Sequence, residues 1–391
     1  MKISHIIKSI GFILLILYLI FSYVNYINPV LEIFISISIY LLCAIVLIYT
    51  LINKKILYND YIKNYALFFI VIACTAVIPY IGTSYNTIVL NALFNIFKIL
   101  ILTYCVYVFV ERNKLHIIFI TISISSIILF LFTGAQFDIS SGERFGNELA
   151  GNANIIAPLY MFAAISSTYC IFNSKKILYR IVFLGAYLIQ LYAIILTGTK
   201  KSLIVSFAFF WLYFIFTQKR KYAFLLFIVF ISSAAIFVSL IFNNAFLYDL
   251  IGYRFEGMLM ALVTGQGDGS TMERMNMIHD AATFWKQNPF FGIGLNLFSV
   301  KGAYGAYAHN NYLELLATTG IVGFISYYTY HIKTIYNLSK TVKYNQSNNI
   351  FGLLIIASMM FYDIGAVSYN LPLVQIFLLL SCKKKIKDAL I

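Results

Sequence analysis

His309, Asn310 and Glu314 stand at the head of an apolar run that carries Gly320 and Gly323. An imidazole exchanges protons near neutral pH. Arg144, Lys200, Lys201, Arg254 and Arg274 are cations of the kind that hold phosphate-like anions, arginine through a planar bidentate fork. Proton transfer beside a group that develops negative charge is the chemistry this residue set supports. Helical residues step by about 100°. His309, Leu313, Leu316, Gly320 and Gly323 are therefore expected along one narrow stripe, with the imidazole above a smooth face on which another helix packs closely.

The elements that must position these residues are set by composition. The 391 residues are 61% hydrophobic and 11% charged, with a mean hydropathy of +0.87. This excludes a soluble domain and predicts an all-α, polytopic membrane helical bundle. About twelve apolar runs approach or reach the roughly 20 residues a helix needs to cross the hydrocarbon core. They cover 10–26, 30–52, 65–81, 88–110, 115–132, 150–172, 178–196, 202–216, 222–242, 310–332, 350–365 and 371–382, the last two interrupted by Asp363 and Pro372. Three regions follow: a bundle of nine spans over 1–242, a large outer loop over 243–308, and C-terminal helices with the histidine over 309–391. No cleavable signal peptide is expected, because residues 1–8 lead into an apolar run without a small-residue cleavage site.

Basic residues orient the bundle, since they remain on the cytoplasmic side in short loops. Most of the 28 Lys and Arg fall on one face, among them Lys54, Lys55, Lys175, Lys176, Lys219, Arg220, Lys343 and the C-terminal Lys383, Lys384, Lys385 and Lys387. Both termini are thus expected to be cytoplasmic. The net charge of +14 is largely a topogenic signal and does not point to nucleic acid. Seven cations fall on the outer side, where topology gives no reason for them: Arg144, Lys200, Lys201, Arg254, Arg274, Lys286 and Lys301. Lys98 stands alone in mid-span, where charge is costly.

The outer loop carries helical apolar spacing over 254–263 and 272–285, a flexible break at 266–270 and a packed turn at Asn288-Pro289-Phe290-Phe291-Gly292-Ile293-Gly294. Cys43, Cys74, Cys105, Cys170 and Cys382 lie in or at the ends of apolar runs, with no disulfide or zinc spacing. Asp268 has no paired carboxylate, so no metal site is expected. Bland readings stand beside the chemical ones. His309 could be an ordinary interfacial residue, Arg144 could pair with Glu143 or Glu148, and Arg254 and Arg274 could pair with Glu256 and Glu273. His279 and Lys286 read as solvated or structural. Lys200 and Lys201, in a very short outer turn, are better explained by an anionic partner. Asn310 reads either as a helix cap or, with Glu314, as an orienting group.

The run His309-Asn310, nine residues, Gly320, two residues, Gly323 resembles the signature of the O-antigen ligase and polymerase superfamily of bacterial membrane proteins, the Wzy/WaaL-like group. Arg274, Trp285, Asn288-Pro289, Gly292-Ile293-Gly294 and the segment 197–202 extend the resemblance. It implies a metal-independent glycosyltransferase of the membrane-embedded GT-C kind, without cofactor. Such an enzyme moves a glycan from an undecaprenyl pyrophosphate carrier to an acceptor sugar hydroxyl, on the outer face of the cytoplasmic (inner) membrane. It further implies pyrophosphate contacts at Arg144 and Arg274, with Arg254 less securely placed. Lys200 stands where the family usually has arginine, keeping the charge but losing the fork. His309 becomes a base or a phosphate contact. The implied partners are the lipid-linked glycan, an acceptor glycan or lipid, membrane lipid, a flippase and a chain-length regulator. A surface-polysaccharide polymerase is favoured over a ligase because no extra acceptor domain is visible. A flippase or other transporter is the rival class, disfavoured by the absence of an internal repeat.

Overall fold

Long apolar runs fold as helices in lipid because nothing there can satisfy a free backbone N–H or C=O. The computed structural model describes residues 2–134, 137–138, 143–341 and 346–381. Gly142, Lys343, Cys382 and the lysines at 383–387 lie outside the described residues. The helices in chain order are α1 (Lys2–Val24), α2 (Glu32–Asn53), α3 (Asp60–Ile72), α4 (Asn86–Phe109), α5 (Leu115–Thr133), α6 (Asn147–Ala150), α7 (Ala153–Asn173), α8 (Ile177–Leu196) and α9 (Lys200–Thr217). They continue with α10 (Arg220–Asn243), α11 (Ala245–Leu247), α12 (Tyr253–Thr264), α13 (Gly269–Gln287), α14 (Phe298–Lys301), α15 (Asn311–Thr341), α16 (Gln346–Tyr362) and α17 (Pro372–Ser381). Among the described residues, nine helices are long and apolar enough to cross a membrane. They coincide with the first nine expected spans. The other three fall on α15, which is broken, and on two shorter apolar helices, Asn349–Tyr362 and Pro372–Ser381.

The chain divides into two units, residues 1–49 with 109–265, and residues 50–108 with 266–391. In the first, α7 packs on α5, α8 and α9 and is the most enclosed span. Its sequence explains this: Ala157, Ala163, Ala164, Ser166 and Ser167 are small and let neighbouring backbones approach. Polar side chains lock the same helices together. The Ser123 and Ser167 hydroxyls lie 2.7 Å apart, Ser167 donates to Gln190 Oε1 at 2.8 Å, and Gln190 Nε2 donates to Ser126 Oγ at 2.9 Å. In lipid these groups would otherwise have no partner. In contrast, α10 exposes Phe224, Leu225, Ile231 and Ile236, an apolar surface suited to lipid.

In the second unit α15 packs on α3, α13 and α16. Aromatic rings interleave along the seam, with Tyr61 edge-on to Tyr330 at 4.8 Å and Phe68 against Tyr327 at 5.2 Å. Gln375 ties α17 to both neighbours, accepting from Tyr61 Oη and donating to Tyr327 Oη, each at 2.9 Å. After α3, a π-helical turn over Ala73–Val77 frees the Ala76 carbonyl. That carbonyl accepts the Leu295 N–H at 2.9 Å.

The expected glycine stripe is corrected at α15. The helix starts at Asn311, so His309 lies outside it, and it breaks at Gly320, where φ is 66° and ψ is −172°. A break in a membrane helix strands backbone groups on both sides. Here the turn at 289–294 satisfies them. Ile293 and Gly294 N–H donate to Ala317 and Thr318 carbonyls at 2.8 and 3.1 Å, while Ile321 and Val322 N–H donate to Pro289 and Phe290 carbonyls at 2.9 and 3.3 Å. Gly320 serves close contact with loop backbone, whereas a Cβ on Gly323 would meet the Thr319 side chain of its own helix. In the preceding segment the expected helical pieces appear as α12 and α13. Gly265 closes α12 in a left-handed turn, and Asp268 caps α13 by accepting Thr271 N–H at 2.7 Å.

Candidate active site

In the first unit the cations meet at the turn joining α8 to α9. Gly198 has φ +60°, and a Cβ there would stand 2.9 Å from the Leu250 carbonyl oxygen, 3.4 Å from Arg144 Nε and 3.5 Å from Arg254 Nε. Two guanidinium groups therefore lie against one glycine. Arg144 is fixed in place, with Nε donating to Thr197 O at 2.7 Å and Nη2 donating to Asn154 Oδ1 and Thr199 Oγ1 at 3.2 and 3.3 Å. Lys200 Nζ donates to the Arg254 carbonyl at 2.6 Å. The Arg254 guanidinium packs on the Tyr253 ring at 5.0 Å, and its buried Nε has no hydrogen-bond partner among the described residues.

Glu256 accepts from Tyr248 Oη, Glu143 accepts from Asn147 Nδ2 at 2.9 Å, and Glu148 is exposed. Lys200 and Lys201 occupy the first turn of α9, where the helix dipole already carries partial positive charge and disfavours cations. Such a concentration of positive charge is stabilised by an anion.

In the second unit His309 adopts φ +52°, a left-handed conformation uncommon outside glycine. It is strapped on both sides. Ala308 N–H donates to Glu314 Oε2 at 2.8 Å, and Asn310 caps α15 by accepting Leu313 N–H at 3.1 Å while donating to Ile364 O at 3.2 Å. Strained residues held by their surroundings concentrate at functional sites. The imidazole contacts the Tyr307 ring at 4.4 Å. Burial raises the Tyr307 phenol pKa, the Arg274 charge opposes that shift and the Glu314 carboxylate adds to it. Arg274 and Glu314 are thus within electrostatic reach of the ring that touches His309.

Tyr307, Asn311 and Asp363 were not singled out as site residues from the sequence. Buried Asn311 accepts Ser368 and Tyr369 N–H at 2.9 and 3.1 Å and donates to Tyr328 Oη at 2.8 Å and Asp363 Oδ2 at 3.3 Å. Asp363 also accepts from Tyr328 Oη at 2.7 Å and from Ser368 Oγ, and its carbonyl accepts Asn311 N–H at 2.8 Å. The available signal was a carboxylate inside an apolar run, where charge persists only with a partner. Lys301, grouped with the unexplained outer cations, is held by two rings and a carbonyl. Its Nζ lies 5.1 Å from both the Tyr80 and Tyr85 rings and donates to Ile293 O at 3.1 Å, and desolvation lowers its pKa. His279 is exposed beside Asp280, in keeping with a solvated role.

A many-spanning helical membrane protein with a cation cluster and a strapped histidine is the class these features define. The model of the O-antigen ligase family matches residues 185–328, a stretch containing Gly198, Lys200, Lys201, Arg254, Arg274, His309 and Gly320. Residues 185–328 are thus similar to the O-antigen ligase family, which supports the resemblance read from the histidine–glycine motif. Arg144 lies outside that stretch and reaches it through the Gly198 turn. No curated protein matches the sequence.

Proposed function

We propose that the protein is a metal-independent glycosyltransferase that polymerises a surface polysaccharide, taking repeat units from undecaprenyl pyrophosphate on the outer side of the cytoplasmic membrane. The observation that carries this reading is the approach of Arg144 and Arg254 to Gly198, with Lys200 bound to the Arg254 carbonyl. An acceptor sugar hydroxyl attacks the anomeric carbon of the lipid-linked glycan, the bond from that carbon to the pyrophosphate oxygen breaks, and the pyrophosphate leaves with the electron pair. Fixed cations stabilise the charge that grows on it. His309 takes the hydroxyl proton, with Asn310 and Glu314 holding the backbone around it. Arg274 adds positive charge within reach of Tyr307, the ring that touches His309, and Lys201 adds to the field at the start of α9.

The description of the matched family favours a second reading, a ligase that hands a finished glycan to a lipid or other acceptor. Glycan gels of a deletion strain separate the two. Single repeat units on the final acceptor are the outcome for a lost polymerase, and full-length glycan retained on the carrier is the outcome for a lost ligase. Wild-type glycan in both the deletion strain and a strain carrying His309→Ala would refute the transferase reading.

A further inference from the structure

A cavity of 270 Å³ lies beside Arg144, lined by Phe132, Phe137, Phe145, Leu149 and Glu148. We propose that it is a monosaccharide subsite, receiving the sugar ring of the lipid-linked donor that lies next to the pyrophosphate. The inference rests on the transferase reading and adds the identity of a subsite to it.

Three candidate occupants differ in chemistry. A pyrophosphate would be repelled by Glu148, which is exposed on the same cavity that Arg144 lines. An isoprenoid chain would gain nothing from a carboxylate and a guanidinium, both of which lose hydration when covered by hydrocarbon. A sugar ring matches each part of the lining. Its hydroxyls donate to a carboxylate and accept from a guanidinium. Its polarised C–H faces suit the negative face of an aromatic ring, and Phe137 is half-buried against Phe145 with ring centroids 5.5 Å apart.

Volume agrees with this assignment. At 270 Å³ the cavity is slightly smaller than the roughly 300 Å³ at which small-molecule clefts begin. It suits one sugar ring better than a whole repeat unit. Arg144 links the subsite to the charge cluster: Nε and Nη2 bind the Thr197–Thr199 turn while the side chain also lines the cavity. A sugar there would be joined directly to a pyrophosphate at Gly198.

The test measures binding to the purified full-length protein in lipid nanodiscs. Its two probes are undecaprenyl pyrophosphate alone and the lipid-linked repeat unit extracted from a deletion strain. Phe137→Ala and Glu148→Gln are expected to weaken binding of the glycosylated probe by about tenfold, as loss of a stacked or hydrogen-bonded contact would. Both should leave affinity for the bare carrier unchanged, which also reports an intact fold, whereas Arg144→Ala weakens both probes. Equal loss for both probes in Phe137→Ala and Glu148→Gln assigns the cavity to the carrier and overturns the proposal, as does no loss for either. A wild-type protein that binds neither probe removes the transferase reading itself.

Discussion

Gly320 and Phe290 are in backbone contact so close that a Cβ on Gly320 would lie 2.2 Å from both the carbonyl carbon and oxygen of Phe290. The contact closes the break in α15, and its φ/ψ region is essentially restricted to glycine. Gly320→Ala meets both obstacles and is expected to cost about 1–3 kcal/mol from backbone strain alone, with further loss as the turn is displaced. A lowered Tm in detergent, together with loss of glycan product, is the expected result. An unchanged Tm would show that the turn does not bear on the break.

The two asparagines after His309 should separate cleanly. Asn310 is a partly exposed cap, and Asn310→Ala is expected to cost about 1 kcal/mol. Asn311 is fully buried and serves two backbone N–H groups, so Asn311→Ala strands them at about 1–3 kcal/mol each. Thermal unfolding of the paired variants checks the order. Equal effects would mean that the Asp363 turn finds other partners.

This contrast also marks what could be read in advance. Nine spans and the helices of the 243–308 segment follow from local composition and periodicity, which act within one element. The break at Gly320 did not, because a helical stripe and a glycine-to-loop contact place glycines at the same spacing. Only the turn at 289–294, remote in sequence, distinguishes them. Asn311 was hidden for a similar reason: its partners Ser368 and Tyr369 lie more than fifty residues away. Lys301 has contacts its loop position does not announce, two tyrosine rings and the Ile293 carbonyl, all remote from it in local pattern.

The Gly198 turn predicts unequal tolerance among its cations. Arg144 binds through Nε and Nη2 to three different oxygens, a geometry no ammonium reproduces. Arg144→Lys should therefore lower transfer by about tenfold or more. Lys200 donates to the Arg254 carbonyl, a contact a guanidinium can also make, so Lys200→Arg should keep most activity. Initial rates on lipid-linked repeat units decide this, and the prediction fails where Arg144→Lys matches the wild type.

Glu314 tests whether the strap on His309 matters to chemistry. Its carboxylate is the acceptor for the buried Ala308 N–H, one residue before the left-handed His309. Glu314→Ala leaves that donor unsatisfied at about 1–3 kcal/mol and releases one anchor of the histidine. Glu314→Gln retains an oxygen at the same position and should rescue most of the activity. A charge role would give a different result, with Gln failing as badly as Ala. Measuring kcat and KM for both variants, with Tm as the control for folding, distinguishes the two. For a positioning role the Ala variant should lose kcat at nearly unchanged KM, because a misplaced base weakens the transition state more than the bound substrate.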